Sequence, residues 1–198
     1  MNDTTPRPYR MGVRAERAAK TGERILDAFV ALFWERPGAA FSLDEVAARA
    51  GVTVQTVIRR FGGRDGLLAA AAEREHARVA HERDPAAIAD AVGAVRQLVE
   101  HYERDGDGAF RLLAAELHEP ALAPLAERGR ALHRDWCARA FGATLERLDA
   151  ATRARRLAQL VAVCDVYTWK LLRHEAGLTR EDTETALLEL LEPLLEEP

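Results

Sequence analysis

The sequence predicts an all-α protein, with a three-helix, helix-turn-helix domain at the N-terminus and a larger helical domain behind it, about nine helices in all. Three observations carry this. Apolar residues recur at helical spacing along most of the chain, as in Leu43, Val46, Ala47 and Ala50. Ser42 to Glu45 and Thr179 to Asp182 read as capping boxes that open helices, and Gly51 and Gly177 stand where helices should stop. Finally, two short helices must meet across Gly51, Val52 and Thr53, too few residues for anything but a tight turn.

In chain order, residues 1–20 have no apolar period and carry Arg7, Arg10, Arg14, Arg17 and Lys20, which predicts a flexible basic arm. Such an arm can run along a phosphate backbone or enter a minor groove. Residues 21–64 follow as the helix-turn-helix domain. From Gly22 to about Glu35, Ile25, Leu26, Ala28, Phe29, Leu32 and Phe33 form a wide stripe, and Pro37 and Gly38 should end that helix. Ser42 caps the next helix, and Ala47 is small where the following helix must cross it. Thr53 is placed to cap that following helix, with Val57 and Phe61 facing inward.

The outward face of this helix should then carry Val54, Gln55, Thr56, Arg59 and Arg60. Gln and Thr can hydrogen-bond base edges, and Arg can meet a base or a phosphate. Residues 25–68 resemble the N-terminal DNA-binding domain of the TetR/AcrR family of bacterial transcriptional regulators, with Phe61-Gly62-Gly63-Arg64 similar to the junction into that family's fourth helix. The resemblance implies a DNA face made of Ser42, Thr53, Val54, Gln55, Thr56, Arg59, Arg60 and Arg64. In it Thr53 caps the recognition helix beside a phosphate, Gln55 and Thr56 face bases, and Arg60 and Arg64 meet the backbone. Ile58 departs from the pattern, standing where a tyrosine commonly contacts DNA. That departure leaves a competing reading, a helical ligand-binding or protein-interaction module with a vestigial helix-turn-helix.

Residues 65–198 are expected to form the second domain. A fourth helix should run through Leu67, Leu68, Ala71 and Ala72 to about His81. Asp84-Pro85 gives a start signal for a fifth, with Val95, Leu98, Val99 and Tyr102 inward and an end near Asp105-Gly106. A sixth is expected from about Gly108 to His118, closed by Glu119-Pro120, and a seventh through Leu125, Leu132, Trp136 and Phe141. Thr152 to about Glu175 reads as one long helix, and the helix after Thr179 is lined by leucines. Two such apolar helices suggest a four-helix interface between two copies, the dimer arrangement that the resemblance implies. Its candidate residues are Leu160, Cys164, Leu171, Leu187, Leu190, Leu191 and Leu194. The resemblance also implies that this domain holds a small-molecule effector, in an apolar cavity with a few polar groups at its wall. Candidates for that pocket are Tyr102, Phe110, Leu113 and His133, with Trp136, Cys137, Tyr167 and Trp169.

Composition sets bounds on this reading. Of 198 residues, 30% are charged and 48% hydrophobic, ordinary for a globular chain. No apolar run of about eighteen residues and no leader pattern appear, so a cytoplasmic protein without a membrane partner is expected. Cys137 and Cys164 lack metal-ligand spacing and read as buried free thiols. No H-E-x-x-H, G-x-S-x-G or glycine-rich phosphate loop occurs, and His101 with Glu103, or His118 with Glu119, point apart on a helix. Neither catalysis nor a cofactor or metal is expected. The net charge of −4 is uneven: through Arg78 the chain has 13 Lys+Arg against 10 Asp+Glu, and beyond it 15 against 22. A positive head on an acidic body suits a protein that turns one end to double-stranded DNA, here a near-palindromic operator bound by a homodimer.

Overall fold

The structure, a computed structural model, describes residues 9–36, 41–84, 86, 88–118 and 122–196. Helices dominate, and no strand occurs among the described residues. The chain divides into two compact units, Met1–Arg74 and Glu75–Pro198.

The first unit contains α1 (Tyr9–Glu35), α2 (Leu43–Ala50), α3 (Val54–Phe61) and the start of α4 (Arg64–Glu82). α1 begins inside the stretch expected to be a flexible arm. Residues 16–20 are exposed there, so no apolar stripe announces the helix. Its alanines, arginines and glutamate instead favour it through intrinsic propensity. The expected stop at Pro37 and Gly38 lies outside the described residues. Ile25, Leu26, Phe29 and Leu32 of α1 are buried, as are Val46, Ala47 and Ala50 of α2, Val57 of α3 and Leu67 of α4. Phe29 and Phe41 meet edge to face with centroids 4.6 Å apart. Exposed ion pairs, Arg49 to Glu35 at 2.6 Å and Arg36 to Glu45 at 2.7 Å, tie α2 to the end of α1. Such pairs add little stability individually but limit the angle between the helices.

The second unit contains the end of α4, then α5 (Ala91–Glu116), α6 (Ala123–Ala140), α7 (Gly142–Leu145) and α8 (Ala150–Val163). After them come α9 (Val166–Lys170), a π-helical turn (Leu171–Glu175) and α10 (Arg180–Leu195). α5 packs against α6, α9 and α10, and α8 packs against α6 and α10. Their shared core includes Leu98, Val99, Trp136, Leu160, Leu187 and Leu191.

Three expected boundaries fall elsewhere. α5 is capped by Asp90, whose carboxylate accepts the Gly93 N–H at 2.8 Å, and not by Asp84; Pro85 lies outside the described residues. The expected fifth and sixth helices are one, because Gly106 packs where it was thought to end a helix. A Cβ there would come within 2.6 Å of Trp169 Cζ3, so glycine is needed for that ring to approach α5. α5 ends at Glu116, and Glu119-Pro120, expected to close the helix, lies outside the described residues.

The long helix expected from Thr152 to Glu175 is instead interrupted at Cys164 and Asp165. Asp165 is extended, and its carboxylate caps α9 by accepting the Tyr167 N–H at 2.9 Å. Tyr102 Oη donates to the Cys164 carbonyl at 3.0 Å, and Thr168 Oγ1 donates to the Ala162 carbonyl at 2.7 Å. Side chains thus satisfy backbone groups that an unbroken helix would have paired.

Candidate nucleic-acid interface

The local sequence sets the helix-turn-helix almost atom by atom. Glu45 N–H donates to Ser42 Oγ at 3.1 Å while Ser42 N–H donates to the Glu45 carboxylate at 2.9 Å, a complete capping box. Gly51 ends α2 at φ 64°, a conformation that suits glycine. Thr53 caps α3 by accepting the Thr56 N–H at 3.3 Å, and the two threonine hydroxyls lie 3.0 Å apart. Gly62 and Gly63 carry φ of 80° and 128°. Gly66 allows α4 to start against the end of α3, since a Cβ there would lie 1.7 Å from the Phe61 carbonyl oxygen.

This scaffold gives α3 two faces. Val57 is fully buried, while Gln55, Arg59 and Arg60 are exposed, with Thr53 and Ser42 exposed at the caps. Val54, Thr56 and Arg64 are half-buried. Arg60 lies along α1, its guanidinium occupying the space beside Gly22 where a Cβ would stand 2.3 Å from Nε. Arg64 lies over the Phe41 ring, 4.5 Å from its centroid. Ile58 is 39% exposed beside Arg59, so a large apolar side chain occupies part of the same surface.

In the second unit the expected pocket residues separate. Tyr102, His133, Trp136, Cys137 and Trp169 are buried, Phe110 and Leu113 are half-buried, and Tyr167 is 47% exposed with Phe110 edge-on to it at 5.3 Å. The expected dimer set divides as well. Leu160, Cys164, Leu187 and Leu191 are buried in this chain's own core. They face inward because α5 and α6 cover α8 and α10 on that side. Leu194 is half-buried, and Leu171 and Leu190 remain exposed at 54% and 46%.

One group was not singled out from the sequence. Arg83, the first residue after α4, is only 4% exposed. Its guanidinium lies 4.5 Å from the Trp136 ring centroid and 5.9 Å from that of Tyr102. Nη2 lies 3.3 Å from His133 Nδ1, and His133 Nε2 is 3.1 Å from the Val161 carbonyl oxygen. A carbonyl oxygen only accepts and a guanidinium only donates, so Nε2 is the donor to Val161 and Nδ1 the acceptor from Arg83. Arg83 Nε is buried without an acceptor. Nothing in a single arginine between Glu82 and Asp84 signals burial. Cys137 and Cys164 are free, buried thiols. Hydrogen bonding between them pushes the Cys137 pKa down and that of Cys164 up, burial opposing the first shift and adding to the second. His133 and the Arg83 charge also favour a Cys137 thiolate.

Glu82, His101 and Asp105 converge closely enough to suggest metal ligands. Cations of the chain already take those carboxylates: Arg78 Nη1 meets Glu82 at 2.8 Å and Asp105 at 3.3 Å, and Arg104 pairs with both acids. The cluster is an ion-pair network joining the end of α4 to α5. No described helix is long and apolar enough to cross a membrane.

Residues 25–71 match the family model described as bacterial regulatory proteins, tetR family. Over most of the chain, the fold resembles a TetR-family transcriptional regulator from Rhodococcus sp., with 21% identity and a TM-score of 0.63 over 89% of this chain and 100% of that one. A transcriptional regulator from Rhodococcus sp. Rha1 is similar at 21% identity and a TM-score of 0.65, covering 89% and 99%. The fatty acid degradation regulator FadR from Bacillus halodurans is similar at 16% identity and a TM-score of 0.55, covering 88% and 94%. No curated protein matches the sequence. The helix-turn-helix and the helical body behind it share the fold of these regulators. The N-terminal segment of the chain is a TetR-family domain.

Proposed function

We propose that this chain is a sequence-specific DNA-binding transcriptional regulator, a repressor released by a small-molecule effector and acting as a cytoplasmic homodimer. The observation that carries the reading is the pair of faces on α3: Val57 is fully buried against the unit while Gln55 and Arg59 project from a helix whose N-terminus is set by Thr53. A rigid helix with amide and guanidinium groups on its free face is suited to a major groove. Ser42, Thr53 and Arg64 flank it and serve as backbone contacts, with Arg60 shared between α1 and the DNA. Two-fold symmetry calls for a near-palindromic operator with half-sites spaced by about one helical turn, roughly 34 to 36 Å, or a multiple. Exposed Leu171 and Leu190 support the dimer, and the second unit is the effector-binding part. Release is a population shift whose size is limited by the effector's differential affinity for the two states.

Exposed Ile58 favours the competing reading, an interaction module without DNA affinity. One titration separates the two. Fluorescence anisotropy of the duplex immediately upstream of the gene, at two salt concentrations, should show tight and salt-sensitive binding over a scrambled duplex. Absence of salt-dependent binding to that duplex and to a pool of genomic fragments would remove the regulator reading.

A further inference from the structure

We propose that Arg83 is the anchor for an organic anion, a ligand with one carboxylate and an apolar body. The proposal rests on the reading of the second unit as effector-binding and specifies the chemistry of what it binds. A guanidinium remains protonated at any physiological pH, so a buried arginine needs a counter-charge. Other arginines of this unit have one: Arg78 meets Glu75, Glu82 and Asp105, Arg130 meets Glu116, and Arg173 meets Glu103. Arg83 is more buried than any of these, and among the described residues no carboxylate forms an ion pair with it.

Apart from His133 Nδ1, which accepts from Arg83, its polar surroundings are satisfied without it. Trp136 Nε1 donates to Gln97 at 3.0 Å, Tyr102 Oη donates to the Cys164 carbonyl, and His133 Nε2–H donates to the Val161 carbonyl. His133 offers Arg83 a ring nitrogen and not a carboxylate. The Trp136 and Tyr102 rings fix the guanidinium between them, and Nε is left without an acceptor. The site thus presents a positioned cationic donor within apolar walls. A carboxylate meets two adjacent N–H groups of one guanidinium with two oxygens and a full negative charge, whereas a primary amide offers one neutral oxygen.

The test uses the full chain and calorimetric titration with benzoate, hexanoate and 1-naphthoate, each beside its neutral primary amide, and with inorganic sulfate. At least one carboxylate should bind about tenfold or more tightly than its amide and than sulfate. In Arg83→Met, checked for folding by circular dichroism, that preference should vanish while the ligand-free melting temperature holds or rises, because an unpaired buried cation has been removed. Equal binding of acids and amides, binding by none of them, or sulfate binding as tightly as the best acid would overturn the proposal. So would a large fall in the ligand-free melting temperature of Arg83→Met matched by Cys137→Ser, which would identify the Cys137 thiolate as the internal counter-ion. Operator affinity measured with the best acid keeps the two readings apart. Arg83-dependent binding that leaves duplex affinity unchanged would uphold the anion site and overturn its role as an effector site.

Discussion

At the scale of single residues, glycines of one composition class do opposite things. Gly66 sits where a Cβ would lie 1.7 Å from the Phe61 carbonyl oxygen, whereas Gly129 in α6 has nothing within 4 Å. Gly66→Ala is expected to destabilise by at least the about 1 to 3 kcal/mol typical of overpacking, because the obstructing atom is backbone. Gly129→Ala should stabilise by about 0.4 to 1 kcal/mol by reducing the freedom of the unfolded chain. Urea unfolding of both variants checks the pair, and similar midpoints would contradict the close approach at Gly66. On the proposed DNA face the contrast is between reading and holding. Gln55→Ala should reduce discrimination between operator and mutated operator, while Arg64→Ala should weaken binding to every duplex alike. Competition titrations at fixed salt show which occurs; two silent substitutions would mean that α3 does not present this face to DNA.

Elements are joined here by side chains that reach across sequence. Tyr102 of α5 supports the break between α8 and α9 through the Cys164 carbonyl. Tyr102→Phe removes a buried donor and should cost about 1 to 3 kcal/mol in chemical denaturation. A neutral result would mean that water or another donor takes its place. The network joining the end of α4 to α5 predicts an acid limit. Burial holds the His101 pKa below the usual 6.5, although Asp105 opposes it. Burial alone would raise Asp105, but His101 and Arg78 outweigh it and hold the carboxyl below the usual 3.8. Both groups therefore bind protons more readily in the unfolded chain. Their contribution is complete above pH 6.5 and falls with pH, first as His101 protonates and then below 3.8 through Asp105. Unfolding midpoints from pH 7 to 3 should decline along this course, and Asp105→Asn should flatten the lower part. A variant as acid-sensitive as the parent would place the acid limit elsewhere.

At the scale of the whole molecule, charge and exposed apolar surface divide along the chain. Met1–Arg74 holds 12 Lys+Arg against 9 Asp+Glu, and Glu75–Pro198 holds 16 against 23. Self-repulsion of the acidic unit has to be overcome if two copies meet through it. Among the described residues of this unit the exposed large apolar groups are Val92, Leu117, Tyr167, Leu171 and Leu190, and the last three lie in the C-terminal segments α9, the π-helical turn and α10. Leu171→Glu with Leu190→Glu should shift the protein from dimer to monomer in sedimentation experiments and weaken operator binding together, since each half-site alone offers few contacts. Dimers that persist in the double variant would place the interface on another surface.

What the sequence determined by itself is what depends on neighbours a few residues away. The capping box at Ser42 and Glu45, the left-handed turn at Gly51 and the cap at Thr53 require only local hydrogen bonds and the absence of a Cβ. The helix-turn-helix was legible for that reason, and so was the polar face of α3, which follows from its period. The tertiary structure alone decided the rest. Gly106 looked like a helix end until Trp169 was seen to occupy its missing side chain. The break at Asp165 was hidden by an apolar period that continues across it, because the backbone is satisfied by Tyr102, more than sixty residues away. Leucines of α8 and α10 look alike in sequence, yet Leu187 and Leu191 are buried and Leu190 is exposed, since only the packed neighbours choose which part of a wide stripe is covered. Arg83 is the clearest case. Nothing adjacent in sequence distinguishes it from a solvent-exposed arginine, and its burial arises from aromatic rings supplied by two other helices.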